Sequence, residues 1–199
     1  MVRNPIRSVE HGNQGDRRIR YFRPDEEDRL EKAIRRRCPG HLSAFIFALH
    51  TGLRKSEQFS FRWCDIDMHR KVVTVPHPKN NRSREIKMNQ TCFAVVKDLY
   101  ENRPNEERVF RSDRYNNRPI IDIKKAFEGA VKGARINDFT RRCICHTFIT
   151  RLVQAEVVLR AVQYLAGHHS FAMTGRYAYF APGLNQAAVT RLDPVLASA

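Results

Sequence analysis

The sequence predicts an α+β domain that is mainly helical and contains one small antiparallel β-hairpin. Two patterns lead to this fold class. Most segments between residues 24 and 165 repeat apolar side chains three and four positions apart, which is the spacing of amphipathic helices. Residues 72–88 instead contain a valine-rich run, a turn signal and an alternating run, which are typical of two paired strands.

The first elements follow from helix start and stop signals. Residues 1–19 are polar and are interrupted by Asn, Pro and Gly, so they are expected to form a linker. Pro24 and the acidic residues after it predict a helix start, because they suit the positive end of the helix dipole. Residues 42–49 place apolar side chains on one helix face, and Gly52 predicts the end of that helix. A shorter helix is expected within residues 55–65.

The sheet and the later helices come next in the chain. Residues 72–75 read VVTV and are the clearest strand, which Pro76 ends. Two asparagines then favour a turn, and residues 84–88 alternate between polar and apolar, which completes a predicted antiparallel hairpin. The remaining periodic segments predict helices at 93–100, 121–134, 145–154, 159–165 and 184–192.

The charge of the chain indicates its class of partner. There are 36 Lys and Arg residues against 21 Asp and Glu residues, which gives a formal net charge of +15. A balance this basic favours a polyanion, most often nucleic acid. The basic residues are mixed with acidic ones along the chain, so they do not form a disordered basic tail. The alternative at this level is a basic protein with no nucleic-acid partner.

The five cysteines are odd in number and scattered, so they do not form a disulfide framework. This usage predicts a reducing compartment and a cytoplasmic location. Cys143, Cys145 and His146 lie close together, but no second pair of ligands follows at the spacing of a zinc site. The sequence therefore predicts no metal site. No apolar run approaches the roughly 20 residues that span a membrane, so no membrane association is expected.

Two segments carry candidate catalytic residues. Residues 51–57 read TGLRKSE and are followed by FRWCDID at 61–67. Residues 162–170 read VQYLAGHHS and lead through MTGR to Tyr177. In content, order and spacing these segments resemble the two most specific motifs of the tyrosine recombinase (phage integrase) family. The resemblance covers about residues 20–185.

The resemblance implies a role for each candidate. Arg54 matches the first catalytic arginine of the family, His168 matches a catalytic histidine, and Tyr177 matches the tyrosine nucleophile. Considered alone, Arg54 would be interpreted as half of a surface ion pair with Glu57. The implied activity is cleavage and rejoining of DNA.

The implied reaction explains these residue types. A tyrosine hydroxyl attacks a DNA phosphodiester and conserves its energy in a 3′-phosphotyrosyl bond, so the resemblance implies neither cofactor nor metal. A planar guanidinium binds two phosphate oxygens as charge builds on them, and a histidine moves the proton of the nucleophile. A lysine in the hairpin turn protonates the leaving oxygen. Lys79 is the expected match for that lysine, and Lys87 is its rival.

The segment between the two motifs departs from the family pattern. Residues 139–148 read FTRRCICHTF and align without a gap with the family's FTPHDLRHTF. Arg142 therefore stands at the position of a catalytic histidine, and Cys145 stands at the position of the second catalytic arginine. Cysteine has no guanidinium, and the removal of one preorganised donor costs about 10²–10³ in rate. The activity of the family does not carry over directly.

A compensated site is one hypothesis for this segment. Positions 142 and 145 share a helix face, so the long side chain of Arg142 is proposed to reach the phosphate and replace the guanidinium missing at Cys145. His146 is not expected to act as a replacement base, because neighbouring helix positions point about 100° apart. The alternative is a catalytically inactive, DNA-binding remnant of a prophage integrase.

Glu156 is a second departure. The family has glycine at this position, where it ends a helix in the left-handed backbone conformation. A side chain in that conformation costs about 1 kcal/mol. The sequence therefore predicts a strained helix end at Glu156.

The resemblance also predicts the organisation of the protein. Residues 20–199 are expected to form the catalytic domain, and residues 1–19 the end of an absent N-terminal core-binding region. Double-stranded DNA is the implied partner of a homotetramer, and a monomer is the alternative for this fragment. The helix at 184–192 would be exchanged between neighbours or would pack on its own domain. A type IB topoisomerase shares the nucleophile chemistry and is the remaining alternative.

Overall fold

The computed structural model of the chain describes residues 19–76, 83–102, 107–112 and 118–182. Within these ranges helices dominate and strands are short, so the predicted mainly helical α+β class is confirmed. In chain order the elements are α1 (Glu26–Arg37), α2 (Leu42–Thr51), α3 (Lys55–Ser60), β1 (Ile66–Asp67), β2 (Val72–Val75), β3 (Arg84–Lys87), α4 (Gln90–Glu101), β4 (Arg111–Ser112), β5 (Arg118–Pro119), α5 (Lys124–Gly133), α6 (Arg141–Gln154), α7 (Leu159–Ala166) and α8 (Phe171–Gly175).

The first helices begin and end close to the predicted positions. α1 has acidic residues in its first turn, beginning with Glu26, and basic residues in its last turn, which suits the helix dipole. α2 ends at Gly52, whose φ of 65° is the left-handed conformation of a helix cap. A Cβ atom at Gly52 would also collide with the ring of Phe148. Backbone and packing therefore both require glycine immediately before the segment that carries Arg54.

The predicted hairpin is present and has a third strand. β2 and β3 pair antiparallel, with Val73 opposite Ile86, and β1 pairs with the other edge of β2. The alternation of β3 buries Arg84 and Ile86. The sequence does not predict β1 or the separate β4–β5 pair, because two-residue strands carry no periodic pattern.

Two apolar clusters hold the helices together. The larger cluster contains the buried aromatic side chains Phe47, Phe61 and Phe110, and the rings of Phe47 and Phe110 lie 5.2 Å apart. The smaller cluster joins α6, α7 and the segment after α8, where Val162 packs with Tyr177. The candidate nucleophile is therefore held by core packing.

Helix α6 begins earlier than predicted. The periodic pattern indicates a start near Cys145, whereas the helix begins at Arg141. The N–H of Thr140 donates to the Sγ atom of Cys143 over 3.3 Å at this start, which is not one of the usual capping signals of a sequence. As a result, Arg141, Arg142 and Cys145 all lie on one helix.

The end of α6 has the strained conformation that the sequence predicts. The helix finishes at Gln154, and Glu156 has a φ of 59°. The left-handed backbone is normally occupied by glycine because it has no Cβ atom. The prediction for Glu156 is therefore confirmed.

Several expectations concern residues outside the described ranges. They are the linker up to residue 18, the hairpin turn with Lys79, and the helix at 184–192. Ile19, at the end of the predicted linker, is buried in the smaller apolar cluster. In the part of the chain that the structure describes, no helix is both long and apolar enough to cross a lipid bilayer.

Candidate active site

An open cavity of about 800 Å³ lies beside α3, α6 and the segment that ends in Tyr177. Five of the six predicted site residues line it, and these are Arg54, Arg142, Cys145, His168 and Tyr177. The sixth, Lys79, lies outside the described residues. The fold therefore brings together the candidates from all three motif segments.

Arg54 stands directly before α3 and links the first motif to the last. Its Nη2 atom donates to the carbonyl oxygen of Gly167 over 3.1 Å, and its Nη1 atom donates to Oε1 of Glu57 over 3.3 Å. Glu57 also accepts the backbone N–H of Arg54 over 2.8 Å, which fixes the helix start. The side chain of Arg54 is 47% exposed. The ion pair therefore orients a guanidinium that a ligand in the cavity can still reach.

Arg84 is a buried neighbour of the site that the sequence motifs do not predict. It donates to both carboxylate oxygens of Glu57 over 3.0 and 3.1 Å, and to the carbonyl oxygen of Leu165 over 3.3 Å. Burial alone would raise the pKa of Glu57, but hydrogen bonds and charge from Arg84 and Arg54 outweigh burial and lower that pKa. One carboxylate thus holds two arginines. The alternation of β3 was the available signal, because it directs Arg84 inward.

Gly167 allows these contacts to form. Its φ of 62° ends α7 in the left-handed conformation. A Cβ atom at this position would lie 2.5 Å from Nη1 of Arg84. The backbone conformation and the packing against Arg84 therefore both require glycine at position 167.

His168 follows this glycine and is oriented by Thr174, whose Oγ1 atom lies 2.9 Å from Nδ1 of the imidazole. The ring stacks beside Tyr177 with 6.2 Å between the ring centres. Burial, and after it the charge of Arg54, lowers the pKa of His168 to about 4. The imidazole is therefore neutral at neutral pH.

Tyr177 is 3% exposed, and its hydroxyl forms a hydrogen bond with Nδ1 of His146. Burial raises the pKa of Tyr177 to about 12, although the charge of Arg176 opposes the rise. The expectation that His146 points away from the site is wrong. Because α6 packs against the turn that follows Tyr177, both Cys145 and its neighbour His146 line the cavity.

The pKa of His146 is lowered by burial, and then by the charges of Arg142 and Arg176. The neutral imidazole is the form that can accept the proton of a phenol. The chain therefore presents a protonated tyrosine hydroxyl beside a neutral base.

Residues 20–182 match the model of the phage integrase family. The chain belongs to this family. The integrase of Salmonella phage P22 is 32% identical over 180 residues, which cover 84% of this chain and 45% of that protein. The chain thus spans less than half the length of this curated relative.

Two solved structures share the fold. The Tn1549 transposon integrase in complex with circular intermediate DNA superposes with a TM-score of 0.76 and 25% identity, over 86% of this chain and 66% of that chain. The catalytic domain of bacteriophage HP1 integrase superposes with a TM-score of 0.68 and 21% identity, over 87% of this chain and 95% of that chain. The predicted resemblance to tyrosine recombinases is confirmed.

The site of this phage integrase family member departs from the family pattern in α6. The thiol of Cys145 donates to the carbonyl oxygen of Leu53 over 3.2 Å. Burial raises the pKa of this thiol, against the charges of Arg141 and Arg54. Cys145 therefore contributes a neutral donor where the family has a cation. Arg142 is exposed at the rim of the cavity.

A metal centre has no support among the residues that the structure describes, where no group of three or more His, Cys, Asp or Glu side chains is arranged to hold an ion. The two cysteines of α6, Cys143 and Cys145, have different surroundings. Cys143 contacts Thr140, whereas Cys145 contacts Leu53. They do not converge on a shared centre.

Proposed function

We propose that this chain is the catalytic domain of a tyrosine-type site-specific recombinase that cleaves and rejoins double-stranded DNA. The proposal is carried by one observation, the contact of the buried Tyr177 hydroxyl with His146 at a cavity that Arg54 and His168 also line. A nucleophile, a proton acceptor and a guanidinium are the groups that transesterification of a phosphodiester needs.

Cleavage begins with the proton of Tyr177. With a pKa of about 12 the hydroxyl is protonated at neutral pH, so a base must take the proton as the oxygen attacks. His146 contacts that hydroxyl and is the proposed base. The tyrosine oxygen forms a bond to phosphorus, the bond from phosphorus to the 5′ oxygen breaks, and a 3′-phosphotyrosyl link remains.

The other groups act on the phosphate and on the leaving oxygen. Arg54 binds the non-bridging oxygens, on which negative charge builds. Arg142, at the rim of the cavity, adds positive charge at the same phosphate. Lys79, which the resemblance matches to the family's lysine, gives a proton to the departing 5′ oxygen. Rejoining reverses these steps, with the 5′ hydroxyl of the other strand as nucleophile and Tyr177 as leaving group.

Double-stranded DNA is the proposed substrate, and a homotetramer on DNA is the proposed assembly. The net charge of +15 supports a polyanionic partner, and the Tn1549 integrase of similar fold was solved with DNA. The proposed extent of the catalytic domain is residues 20–199. The proposed site of action on double-stranded DNA is the bacterial cytoplasm, at the nucleoid.

Covalent capture of DNA tests the proposal. The chain is incubated with nicked duplexes of randomised sequence, in which cleavage releases a short strand and leaves the protein attached to DNA. We expect an adduct that survives SDS with the unsubstituted chain and none with Tyr177→Phe. If the unsubstituted chain forms no adduct at concentrations that bind the duplexes, the proposal is wrong.

A catalytically inactive DNA-binding remnant is the second candidate, and Cys145 favours it because a catalytic cation is missing there. Binding of the duplexes without adduct would indicate the remnant. Relaxation of a supercoiled plasmid without paired sites would instead indicate a topoisomerase.

The role of Arg142 is tested with Arg142→Ala, for which we expect an adduct rate at least about tenfold lower. An unchanged rate would remove Arg142 from the site.

A further inference from the structure

Arg141 is a partly buried cation that the proposed mechanism does not use. It is the first residue of α6 and lines the same cavity as Arg54 and Cys145. Its Nη2 atom donates to Oε1 of the buried Gln58, and its Cζ atom lies 6.0 Å from the centre of the Phe59 ring. Its Nη1 atom is buried and has no hydrogen-bond partner among the described residues.

The surroundings of Arg141 lack a counter-charge. Two other arginines with little exposure contact carboxylates, since Arg20 pairs with Glu26 and Arg84 pairs with Glu57. Arg141 has only an amide and an aromatic ring as described partners. Burial lowers its pKa, as expected when the compensation of a charge is incomplete. Because a shielded guanidinium nitrogen without a partner or counter-charge is costly, this guanidinium is expected to meet an anionic ligand.

The family position that lacks its arginine lies next to this guanidinium. Positions 141 and 145 are one helical turn apart and share a face of α6. The charges of Arg141 and Arg54 both act on the thiol of Cys145. A cysteine side chain is much shorter than that of an arginine, so the substitution leaves room beside its sulfur.

We propose that Arg141 supplies the second guanidinium of the active site and binds the scissile phosphate together with Arg54. This inference rests on the proposed function and names the residue that takes over the role missing at Cys145. Nη1 is shielded from solvent, so binding of phosphate requires the guanidinium to turn from Gln58 toward the cavity. The exchange is favourable because a hydrogen bond to a charged phosphate is stronger than one to a neutral amide.

Arg141 and its neighbour Arg142 differ in burial. This difference assigns the second guanidinium to Arg141, while Arg142 adds charge at the rim of the cavity. Arg142 is exposed, so water and counter-ions can satisfy its charge without a specific ligand. Arg141 is partly buried, and its Nη1 atom is shielded from solvent without a hydrogen-bond partner among the described residues. This chain has arginine at 141, where the family segment has proline, and cysteine at 145, where the family segment has arginine.

Four proteins test this assignment, namely the unsubstituted chain, Arg141→Pro, Cys145→Arg and the double variant. Proline is well tolerated at the first position of a helix, so Arg141→Pro removes the guanidinium without breaking α6. With the nicked duplexes, we expect Arg141→Pro to form the Tyr177 adduct about 100-fold more slowly. The double variant should recover at least about tenfold of that loss, because Cys145→Arg returns a guanidinium to the same phosphate.

Two results would overturn the assignment. The first is an adduct rate for Arg141→Pro close to that of the unsubstituted chain. The second is a loss of rate that Cys145→Arg does not reverse, since Arg141 would then act only through the fold. Thermal melting of all four proteins is measured alongside the adduct rates. Only variants that melt like the unsubstituted chain are compared with it.

A second measurement separates this inference from the proposed function. The affinity for an intact duplex is measured at several salt concentrations, because each lost phosphate contact reduces the slope of log affinity against log salt by about 0.9. We expect that change for Arg141→Pro and a smaller one for Lys132→Ala, which removes an exposed charge from α5. If no adduct forms but the slope changes as expected, the recombinase proposal fails and the phosphate contact stands. An unchanged slope overturns the contact.

Discussion

The imidazole of His146 and the hydroxyl of Tyr177 share a hydrogen bond, although 31 positions separate them in the chain. Their ring centres lie 5.9 Å apart. The ring of His168 lies beside the same tyrosine, with 6.2 Å between centres. Burial lowers the pKa of both histidines. The proposed nucleophile therefore lies between two imidazoles that are neutral at neutral pH.

His146→Gln tests which histidine takes the proton of Tyr177. We expect the rate of adduct formation to fall by about 10²–10⁴, which is the contribution of a positioned general base. His50→Gln is the matched control, because burial also lowers the pKa of His50, but this residue hydrogen-bonds to Asn89 and does not line the cavity. Equal rates for His146→Gln and the control would contradict the assignment of the base.

Arg84→Met is expected to destabilise the fold strongly. It leaves the little-exposed carboxylate of Glu57 without its bidentate partner, and breaking a buried pair in this way costs about 3–5 kcal/mol. Arg70→Met is the matched control, since the pair of Arg70 with Glu85 is about half exposed and pairs of this kind contribute about 1 kcal/mol or less. Urea unfolding at neutral pH measures both free energies.

The difference in the free energy of unfolding between Arg84→Met and the unsubstituted chain should become smaller in acid. Against the effect of burial, Arg84 lowers the pKa of Glu57 from its ordinary 4.5. A carboxyl with a lowered folded pKa stabilises the fold above its unfolded pKa, and this contribution is lost as pH falls through the folded pKa. The difference in the free energy of unfolding should therefore decrease below about pH 4. A difference that stays constant into acid would contradict this account of Glu57.

Local signals in the sequence predict much of this fold. Gly52 ends α2, and Val72–Val75 form a strand, because a left-handed cap and a β-branched run involve only adjacent residues. The motifs around Arg54 and Tyr177 lie at one cavity, as the resemblance implies. Recognition of each feature needs no knowledge of its distant partners.

Contacts between distant segments could not be predicted. Arg84 meets Glu57 across 27 positions, and Arg141 meets Gln58 across 83 positions. Neither segment contains a signal for its partner, because burial of a side chain depends on how the helices pack. Helix geometry alone also misplaces His146, since its contact depends on where α6 meets the turn after α8.

Glu156→Gly is expected to stabilise the chain. Glu156 is exposed and has a φ of 59°, and glycine adopts this conformation without the penalty of about 1 kcal/mol that a side chain incurs. Urea unfolding should show a gain of about 0.5–1 kcal/mol. The converse change, Gly167→Ala, should lose more than this, because its Cβ would also approach Nη1 of Arg84. No gain in Glu156→Gly would mean that the helix end carries no strain.

His168 should make the stability of the chain fall in mild acid. Burial and Arg54 lower its pKa from 6.5 to about 4, so between these values the unfolded chain takes up a proton that the folded chain does not. Stability is therefore lost as pH falls from the unfolded pKa to the folded pKa, by at most about 2 kcal/mol at pH 5. His168→Gln should lose correspondingly less stability between about pH 7 and pH 5 in urea unfolding, while His69→Gln, at an exposed position, should behave like the unsubstituted chain. If His168→Gln loses as much stability as that control, the imidazole of His168 does not titrate below its ordinary range.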